Sequence, residues 1–326
     1  MPHSALRNYI REFLEYCEIE KNQSPLTIRN YQHYLGRFAD YAEKFGITNP
    51  EKISLDTSRS YRLALNRMTD EHGKSLKLIT QNYHVIALRA FLKYLTKRDI
   101  QTLAPEKIEL AKNPSRQVHA LEVDEIKRML TAVNQTDVEL IRLRDKAIML
   151  LLFSSGVRIS ELVSLKKNQI NFKQGEFTVR GKGDKVRLVF ISPDCKQAIE
   201  NYLKKRTDNH PGLFVSHSSI GNTTTKEIEA QGFSLRGATS RGKAAGLTAR
   251  SVQRMVHKYA LLAGITQNVT PHIFRHSFAT DLLQNGADIR SVQTLLGHAS
   301  ITTTQIYTHI TNQGLREIHK KFHNKK

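Results

Sequence analysis

Apolar side chains recur at helical spacing through the first hundred residues of the chain. The four stripes comprise Tyr9, Ile10, Phe13, Leu14 and Cys17; Ile28, Tyr31, Leu35, Phe38 and Tyr41; Tyr61, Leu65 and Met68; and Tyr83, Ile86, Leu88, Phe91, Leu92 and Leu95. Ser24-Pro25, before the second stripe, is typical of a helix N-cap followed by proline at the first helical position. Four such helices can close a small bundle. We interpret their aromatic residues as core residues rather than as platforms for stacking bases.

The helical periodicity is lost between residues 102 and 120. Pro105, Pro114 and Ser115 occur there among several lysines and arginines. This composition predicts an extended linker. We therefore expect a helical domain over residues 1–101 and a second domain over residues 121–326.

The second domain begins with helical patterns and contains the one clear strand signal of the chain. Helices are predicted over residues 121–130 and 142–153, and Gly156 ends the second of them. Residues 176–191 predict a β-hairpin with the glycine-flanked Lys182 at or near its tip. The predicted fold class is therefore mainly α, with a small antiparallel β-hairpin or sheet in the second domain.

Two later segments are distinguished by composition. Residues 217–246 are rich in Gly, Ser, Thr and Lys, which predicts an exposed polar insertion or a flexible loop. Helical pattern resumes over residues 251–262. The basic stretch over residues 315–326 is either a solvated tail or a segment that docks on a neighbouring subunit.

The charge of the chain favours a polyanionic partner. The 326 residues carry 50 Lys+Arg and 30 Asp+Glu, a net charge of +20. Residues 113–326 contain 32 basic and 17 acidic side chains, compared with 18 and 13 in residues 1–112. DNA or RNA is therefore a better expectation than a membrane surface.

Several classes of protein are disfavoured by what the sequence lacks. No run of 18 apolar residues is present, so no membrane span is expected. Cys17 and Cys195 are too few for a disulfide framework or a zinc ribbon. Together with an N terminus that has no apolar signal run, they predict a cytoplasmic protein. Lys182 lacks the Gly-Lys-Ser/Thr context of a nucleotide-binding loop, so ATP is not expected.

The segment that begins at Thr270-Pro271 predicts a helix with chemistry on one face. His272 and Arg275 are three residues apart and therefore share that face. His272 and His276 have the spacing of zinc-protease histidines, but Ile273 occupies the position where such a site needs glutamate. We interpret His276 as a structural residue and expect no metal.

Two further candidates follow in the sequence. Gly286 and Gly297 each predict a helix end, and His298 comes directly after the second glycine. Threonines at 302–304 offer caps for a last helical turn that carries Tyr307. Taken singly, His298 is also interpretable as a loop histidine and Tyr307 as a packed aromatic residue.

Arg158 is the earliest candidate for anion binding. It opens a predicted helix, where a cation meets the unfavourable end of the helix dipole. That cost suggests a role toward an anion, and an ion pair with Glu161 is the structural alternative. Lys182, likewise, is interpretable alone as a solvated turn residue.

As a set, the candidates suit attack on a phosphodiester. The set consists of Arg158, Lys182, His272, Arg275, His298 and Tyr307. Arginines can bind the charge that develops on non-bridging phosphate oxygens. A phenol can act as a nucleophile once it is activated, and a lysine can protonate a departing alkoxide. Side-chain cations make a metal unnecessary for this chemistry.

These residues, in this order, resemble the tyrosine recombinase (phage integrase) family, most closely its Xer-type branch and the integrases of mobile elements. The resemblance rests on Ser155-Gly156-Val157-Arg158-Ile159-Ser160-Glu161-Leu162, Gly181-Lys182-Gly183, Pro271-His272-Ile273-Phe274-Arg275-His276-Ser277-Phe278-Ala279-Thr280, Leu295-Leu296-Gly297-His298-Ala299-Ser300 and Tyr307-Thr308-His309. It covers nearly the whole chain, because residues 1–100 are similar to the helical core-binding domain. The insertion at 217–246 departs from compact relatives and favours a mobile-element integrase over an Xer chromosome-dimer role.

The resemblance implies a site-specific recombinase that needs neither metal nor other cofactor. Tyr307 would attack a scissile phosphate, form a 3′-phosphotyrosyl link and release a 5′-hydroxyl. Arg158 and Arg275 would clamp the non-bridging oxygens, and Lys182 would act as general acid. His272 would orient Tyr307 and take its proton, and His298 would hydrogen-bond the phosphate.

The resemblance also implies partners. The two domains would form a clamp around double-stranded DNA, with phosphate contacts that make affinity salt-dependent. A homotetramer, or a heterotetramer with a paralogue, would act on two DNA sites, with or without an accessory protein. The alternatives are a type IB topoisomerase, a DNA-binding protein without activity and a metal-dependent nuclease.

Overall fold

The computed structural model describes residues 4–69, 73–112, 119–181, 186–217 and 245–297. The chain divides into two compact units, Met1–Arg116 and Gln117–Lys326. Each unit has its own hydrophobic core. Within the described ranges, no helix is long and apolar enough to cross a membrane.

The first unit is the predicted bundle of four helices. They are α1 (Ala5–Ile19), α2 (Pro25–Lys44), α3 (Leu55–Arg67) and α4 (Leu78–Thr96). The N-cap of α2 is confirmed, because the hydroxyl of Ser24 accepts a hydrogen bond from the N–H of Thr27 and Pro25 occupies the first turn. Helix α2 packs against α1 and α4, and the enclosed core includes Phe13, Phe38 and Phe91.

The fourth apolar stripe differs from its interpretation at two positions. Tyr83 and Ile86 are 47% and 39% exposed, although the other members of that stripe are buried. Asn82 and His84 are buried instead. The outward position of Tyr83 and Ile86 follows from the helix period, because the strip that faces the core is narrower than the apolar pattern.

Part of the predicted linker lies against the first unit. Ile108 is buried in the core of that unit after a short 3-10 helix, Pro105–Lys107. The side-chain amide of Asn82 donates to the carbonyl of Ala111 at 2.8 Å, and the N–H of Ala111 donates back to the Asn82 side-chain oxygen at 3.2 Å. Residues 113–118 lie outside the described residues.

The second unit is built mainly from helices around a large apolar core. The described helices are α5 (Val123–Ala132), α6 (Glu139–Ser155), α7 (Ile159–Ser164), α8 (Pro193–Lys205), α9 (Ala249–Leu262), α10 (Pro271–Gln284) and α11 (Ile289–Leu296). Helix α6 is the central element and packs against α8 and α10. The predicted ends at Gly156, Gly286 and Gly297 are confirmed, each with positive φ.

The predicted hairpin is confirmed as part of a three-stranded antiparallel sheet. Its strands are β1 (Ile170–Asn171), β2 (Glu176–Arg180) and β3 (Val186–Phe190), in that order. Arg180 pairs with Val186 at the last step of the β2–β3 register. Lys182 and the rest of residues 182–185 lie outside the described residues.

The two ends of the predicted insertion are joined by a short ladder. Strand β4 (Val215–Ser216) pairs antiparallel with β5 (Ala245–Gly246). His217 is buried rather than exposed. Its Nε2 forms a 3.0 Å hydrogen bond with the hydroxyl of Tyr202, which satisfies the ring away from water. Residues 218–244 lie outside the described residues.

Candidate active site

Three arginines from three different elements meet at the C terminus of helix α11. Arg187 of β3 donates to the carbonyl of Leu295 at 3.4 Å, and Arg275 of α10 donates to the next carbonyl, that of Leu296. Arg158, which precedes α7, donates to the carbonyl of Gly297 at 3.3 Å. The last carbonyls of a helix lack partners within the helix and carry partial negative charge, so they attract cations. The helix end therefore gathers three guanidinium groups.

Arg275 is the most buried of the three, at 4% exposure. Besides the Leu296 carbonyl, it donates to the carbonyl of Gly156 at 2.6 Å. Gly156 has φ +57°, and a Cβ there would lie 2.5 Å from Cδ1 of Phe278 on α10. Only glycine fits this turn, which fixes the carbonyl that orients Arg275.

Arg158 forms an ion pair with Glu161, which the sequence left open as the alternative to anion binding. Its Nη1 lies 3.1 Å from Oε1 of Glu161, and its backbone N–H donates to Oε2 at 2.8 Å. The Arg158 side chain nevertheless remains 36% exposed. The ion pair therefore orients the guanidinium while leaving it accessible to an anion.

Arg187 is a part of this cluster that the sequence interpretation missed. Its side chain is 9% exposed, and its Nη2 lies 2.7 Å from Oε2 of Glu161. Burial lowers the pKa of Arg187, and the Glu161 carboxylate opposes that shift. The alternation of outward and inward side chains along β3 is the sequence signal that could have identified it. Val186, Leu188 and Phe190 point outward and are exposed, so Arg187 shares the inward side with buried Val189.

His272 lies in the first turn of α10, one turn before Arg275. Its side chain is exposed, yet neighbouring protein removes part of the hydration of the ring. This desolvation, followed by the positive charges of Arg275 and Arg158, lowers the pKa of His272 below its ordinary value. The imidazole is therefore favoured in the neutral form, which can accept a proton.

The structure thus brings together three of the six predicted residues: Arg158, His272 and Arg275. Lys182, His298 and Tyr307 lie outside the described residues. In the sequence, Lys182 lies between β2 and β3, and His298 directly follows Gly297.

The described residues contain no group of three or more His, Cys, Asp or Glu side chains that could hold a metal ion. His276 is buried within α10, as its interpretation as a structural residue requires. Cys17 and Cys195 are both buried free thiols.

Comparison with known proteins covers both units. Residues 119–313 match the phage integrase family, and residues 10–102 match the phage integrase N-terminal SAM-like domain. The chain is 34% identical to tyrosine recombinase XerC of Syntrophus aciditrophicus over 318 residues, which is 97% of each chain. It is 36% identical to tyrosine recombinase XerA of Pyrococcus horikoshii, covering 96% of this chain and 92% of that protein.

Solved structures show the same fold. The Tn1549 transposon integrase, in complex with transposon right end DNA, superposes with a TM-score of 0.69 at 18% sequence identity. The alignment covers 97% of this chain and 99% of the integrase. The predicted fold class, mainly helical with a small antiparallel sheet, is confirmed.

Proposed function

Because the chain belongs to the phage integrase family and is a site-specific tyrosine recombinase, an enzyme that cleaves and rejoins DNA, we propose that Tyr307 is its nucleophile. The observation that carries the assignment is the gathering of Arg158 and Arg275 on adjacent carbonyls at the end of α11. Tyr307 follows Gly297 by ten positions in the sequence.

Arg158 and Arg275 bind the non-bridging oxygens of the scissile phosphate. A phosphate under attack gains charge on those oxygens, and arginine binds such charge with two parallel N–H donors. Burial strengthens this attraction, because the effective dielectric constant around Arg275 is lower than that of water. The bonds to helix and turn carbonyls hold both guanidinium groups in place before DNA arrives.

The remaining candidates move protons and hold the phosphate. His272 orients Tyr307 and takes its phenolic proton as the tyrosine oxygen bonds to phosphorus. The bond from phosphorus to the 5′-oxygen breaks, and Lys182 donates a proton to give a 5′-hydroxyl. His298 donates a hydrogen bond to the phosphate. The product is a 3′-phosphotyrosyl link, which a 5′-hydroxyl from another strand can reverse.

The partner in this proposal is double-stranded DNA, bound by a homotetramer or by a heterotetramer with a paralogue on two DNA sites. The net charge of +20 supports a salt-sensitive contact with the phosphate backbone. The site-specific recombinase XerH has been solved bound to its palindromic difH substrate, which supports DNA as the partner of a chain with this fold.

A denaturant-resistant protein–DNA adduct, formed in the presence of chelator, tests the assignment. Wild type and Tyr307→Phe are incubated with duplexes tiled across the DNA that flanks the coding sequence. Wild type should form the adduct, and Tyr307→Phe should form none while binding DNA with nearly unchanged affinity, since only the attacking oxygen is removed.

Tyr83→Phe is the matched control, because it removes an exposed phenol from the first unit. This variant should form the adduct at the wild-type level. An adduct that survives Tyr307→Phe would contradict the assignment of the nucleophile. Adduct formation that requires a divalent metal would contradict the metal-independent mechanism.

A further inference from the structure

Glu161 lies between two arginines that have different degrees of exposure. Its carboxylate pairs with the half-exposed Arg158 on one side and with the nearly buried Arg187 on the other. Glu161 itself is 7% exposed. A buried carboxylate with a single cationic partner would concentrate its attraction on that partner. With Arg187 also paired to Glu161, the single negative charge is shared between two arginines. The three side chains together then carry a net positive charge.

Arg187 also fixes the backbone at the end of α11. Gly297 has φ +63°, and a Cβ at this position would lie 2.8 Å from Cδ of Arg187 and 3.1 Å from its Nε. The arginine side chain therefore lies directly against the glycine turn. Its Nη1 holds the Leu295 carbonyl of the same turn. Arg187 thus contacts the Glu161 carboxylate, which also pairs with Arg158, and the Gly297 turn, whose carbonyl accepts a hydrogen bond from Arg158.

Direct contact between Arg187 and DNA does not fit this geometry. Its Nη2 is paired with the Glu161 carboxylate, its Nη1 donates to the Leu295 carbonyl, and its Nε is buried against the Gly297 turn, so each of its three nitrogens is turned toward protein. Its influence on a phosphate has to pass through Arg158 and through the α11 turn. The role is therefore one of positioning rather than of catalysis.

We propose that Arg187 is a positioning residue for DNA cleavage: by pairing with Glu161, it prevents that carboxylate from holding Arg158 too strongly. The inference rests on the proposed roles of Arg158 and Tyr307. Loss of Arg187 would leave the Glu161 charge opposed by Arg158 alone. The phosphate would then compete with Glu161 for the Arg158 guanidinium.

The test is a double-mutant cycle on the full chain. Arg187→Met, Glu161→Gln and the double variant are compared with wild type for the single-turnover rate of adduct formation, on the duplex that wild type cleaves. Arg187→Met should slow the reaction by about 10- to 100-fold, the scale expected when a reacting group is misplaced by about 1 Å. In the Glu161→Gln background, the same change should cost less than about threefold, because the competing charge is gone.

Arg206 provides a matched control within the same unit. Its side chain is 2% exposed, pairs with Asp208 and donates to the carbonyls of Gly212 and Leu213, so it is also a buried arginine bound to a carboxylate and to backbone. Arg206→Met should leave the cleavage rate per folded molecule within about threefold of wild type. Arg187→Lys, which retains the charge, should recover part of the rate lost in Arg187→Met.

The outcomes separate this inference from the proposed function. If Arg187→Met costs the same factor in both backgrounds, or if Arg206→Met slows cleavage as much, Arg187 is only a structural residue. A wild-type protein that forms no Tyr307 adduct would instead overturn the proposed function, and this inference with it. If Arg187→Met slows cleavage in protein that retains Glu161, but has little effect in the Glu161→Gln variant, the positioning role is supported.

Discussion

The first unit buries uncharged side chains, whereas the second unit buries charges around the end of one helix. Among the described residues, the buried polar side chains of the first unit are Ser58, Asn82 and His84. The second unit buries Glu161 and Arg275 in one cluster, and Asp145 in another. Burying an ion costs several kcal/mol unless partners compensate, so folding alone does not favour such a cluster.

The buried imidazole of the first unit shows how charge is avoided there. Nε2 of His84 lies 3.3 Å from Nη1 of Arg37, and Nδ1 lies 3.1 Å from the Tyr61 hydroxyl. Because arginine only donates, Nε2 has to accept, and the ring is therefore neutral. Burial, together with the charges of Arg37 and His33, lowers the pKa of His84 to about 4.

At the end of α11 in the second unit, by contrast, the side chains that leave solvent are charged. Each buried or half-buried cation there is bound to helix carbonyls, to Glu161 or to the Gly156 turn. These contacts compensate for desolvation and hold the guanidinium groups in fixed positions. The first unit is therefore stabilised by apolar packing, while the second unit also buries charged groups: in ion pairs such as Arg206–Asp208 and Arg144–Asp145, and in the cluster at the end of α11, where the proposed reaction uses them.

The largest expected effect is a loss of stability confined to the first unit. Phe91 is fully buried among the α1, α2 and α4 side chains. Phe91→Ala should destabilise that unit by about 3–5 kcal/mol, from lost transfer energy and the cavity that remains. Hydrogen exchange should show faster opening of α1–α4, with unchanged protection in α6 and α10. Equal loss of protection in both units would contradict their independence.

A smaller effect is expected on the pH profile of cleavage. His272 acts as a base only when neutral, and its lowered pKa keeps it neutral below the ordinary histidine value of about 6.5. The acidic inflection of the wild-type cleavage rate should therefore lie below that ordinary value. Single-turnover rates across a pH series measure this.

His272→Asn is the control for that profile. It removes the titrating group, so it should slow cleavage by about 10²–10⁴-fold and abolish the acidic inflection. An inflection that remains at the same pH in this variant would assign it to another group. A wild-type inflection above pH 6.5 would contradict the lowered pKa.

Local chemistry predicts much of this fold. Ser24-Pro25 and the glycines at 156, 286 and 297 end or begin helices where the sequence places them. Caps and left-handed turns depend on a few adjacent residues, which is why they can be recognised without a structure. The hairpin over β2 and β3 is recognisable for the same reason.

Long-range burial is not predictable in this way. Arg187 is 26 residues from Glu161 and 108 residues from Leu295, so no local pattern reveals their contact. The exposure of Tyr83 likewise depends on which face of α4 the other helices cover. Arg158, His272 and Arg275 were identified by motif, but the attachment of the two arginines to carbonyls at the end of α11 requires the folded chain.

If Arg275 is retained for the charge of the phosphate and not for folding, its loss should matter only where that charge is present. The most direct measurement compares wild type with Arg275→Ala on two duplexes, one with a normal scissile phosphate and one with a neutral methylphosphonate at that position. On phosphate, Arg275→Ala should lower the single-turnover rate by about 10²–10³-fold. On methylphosphonate, the loss should be much smaller, because the charge that Arg275 binds is absent. An equal loss on both duplexes would contradict the claim and would mean that Arg275 only maintains the structure.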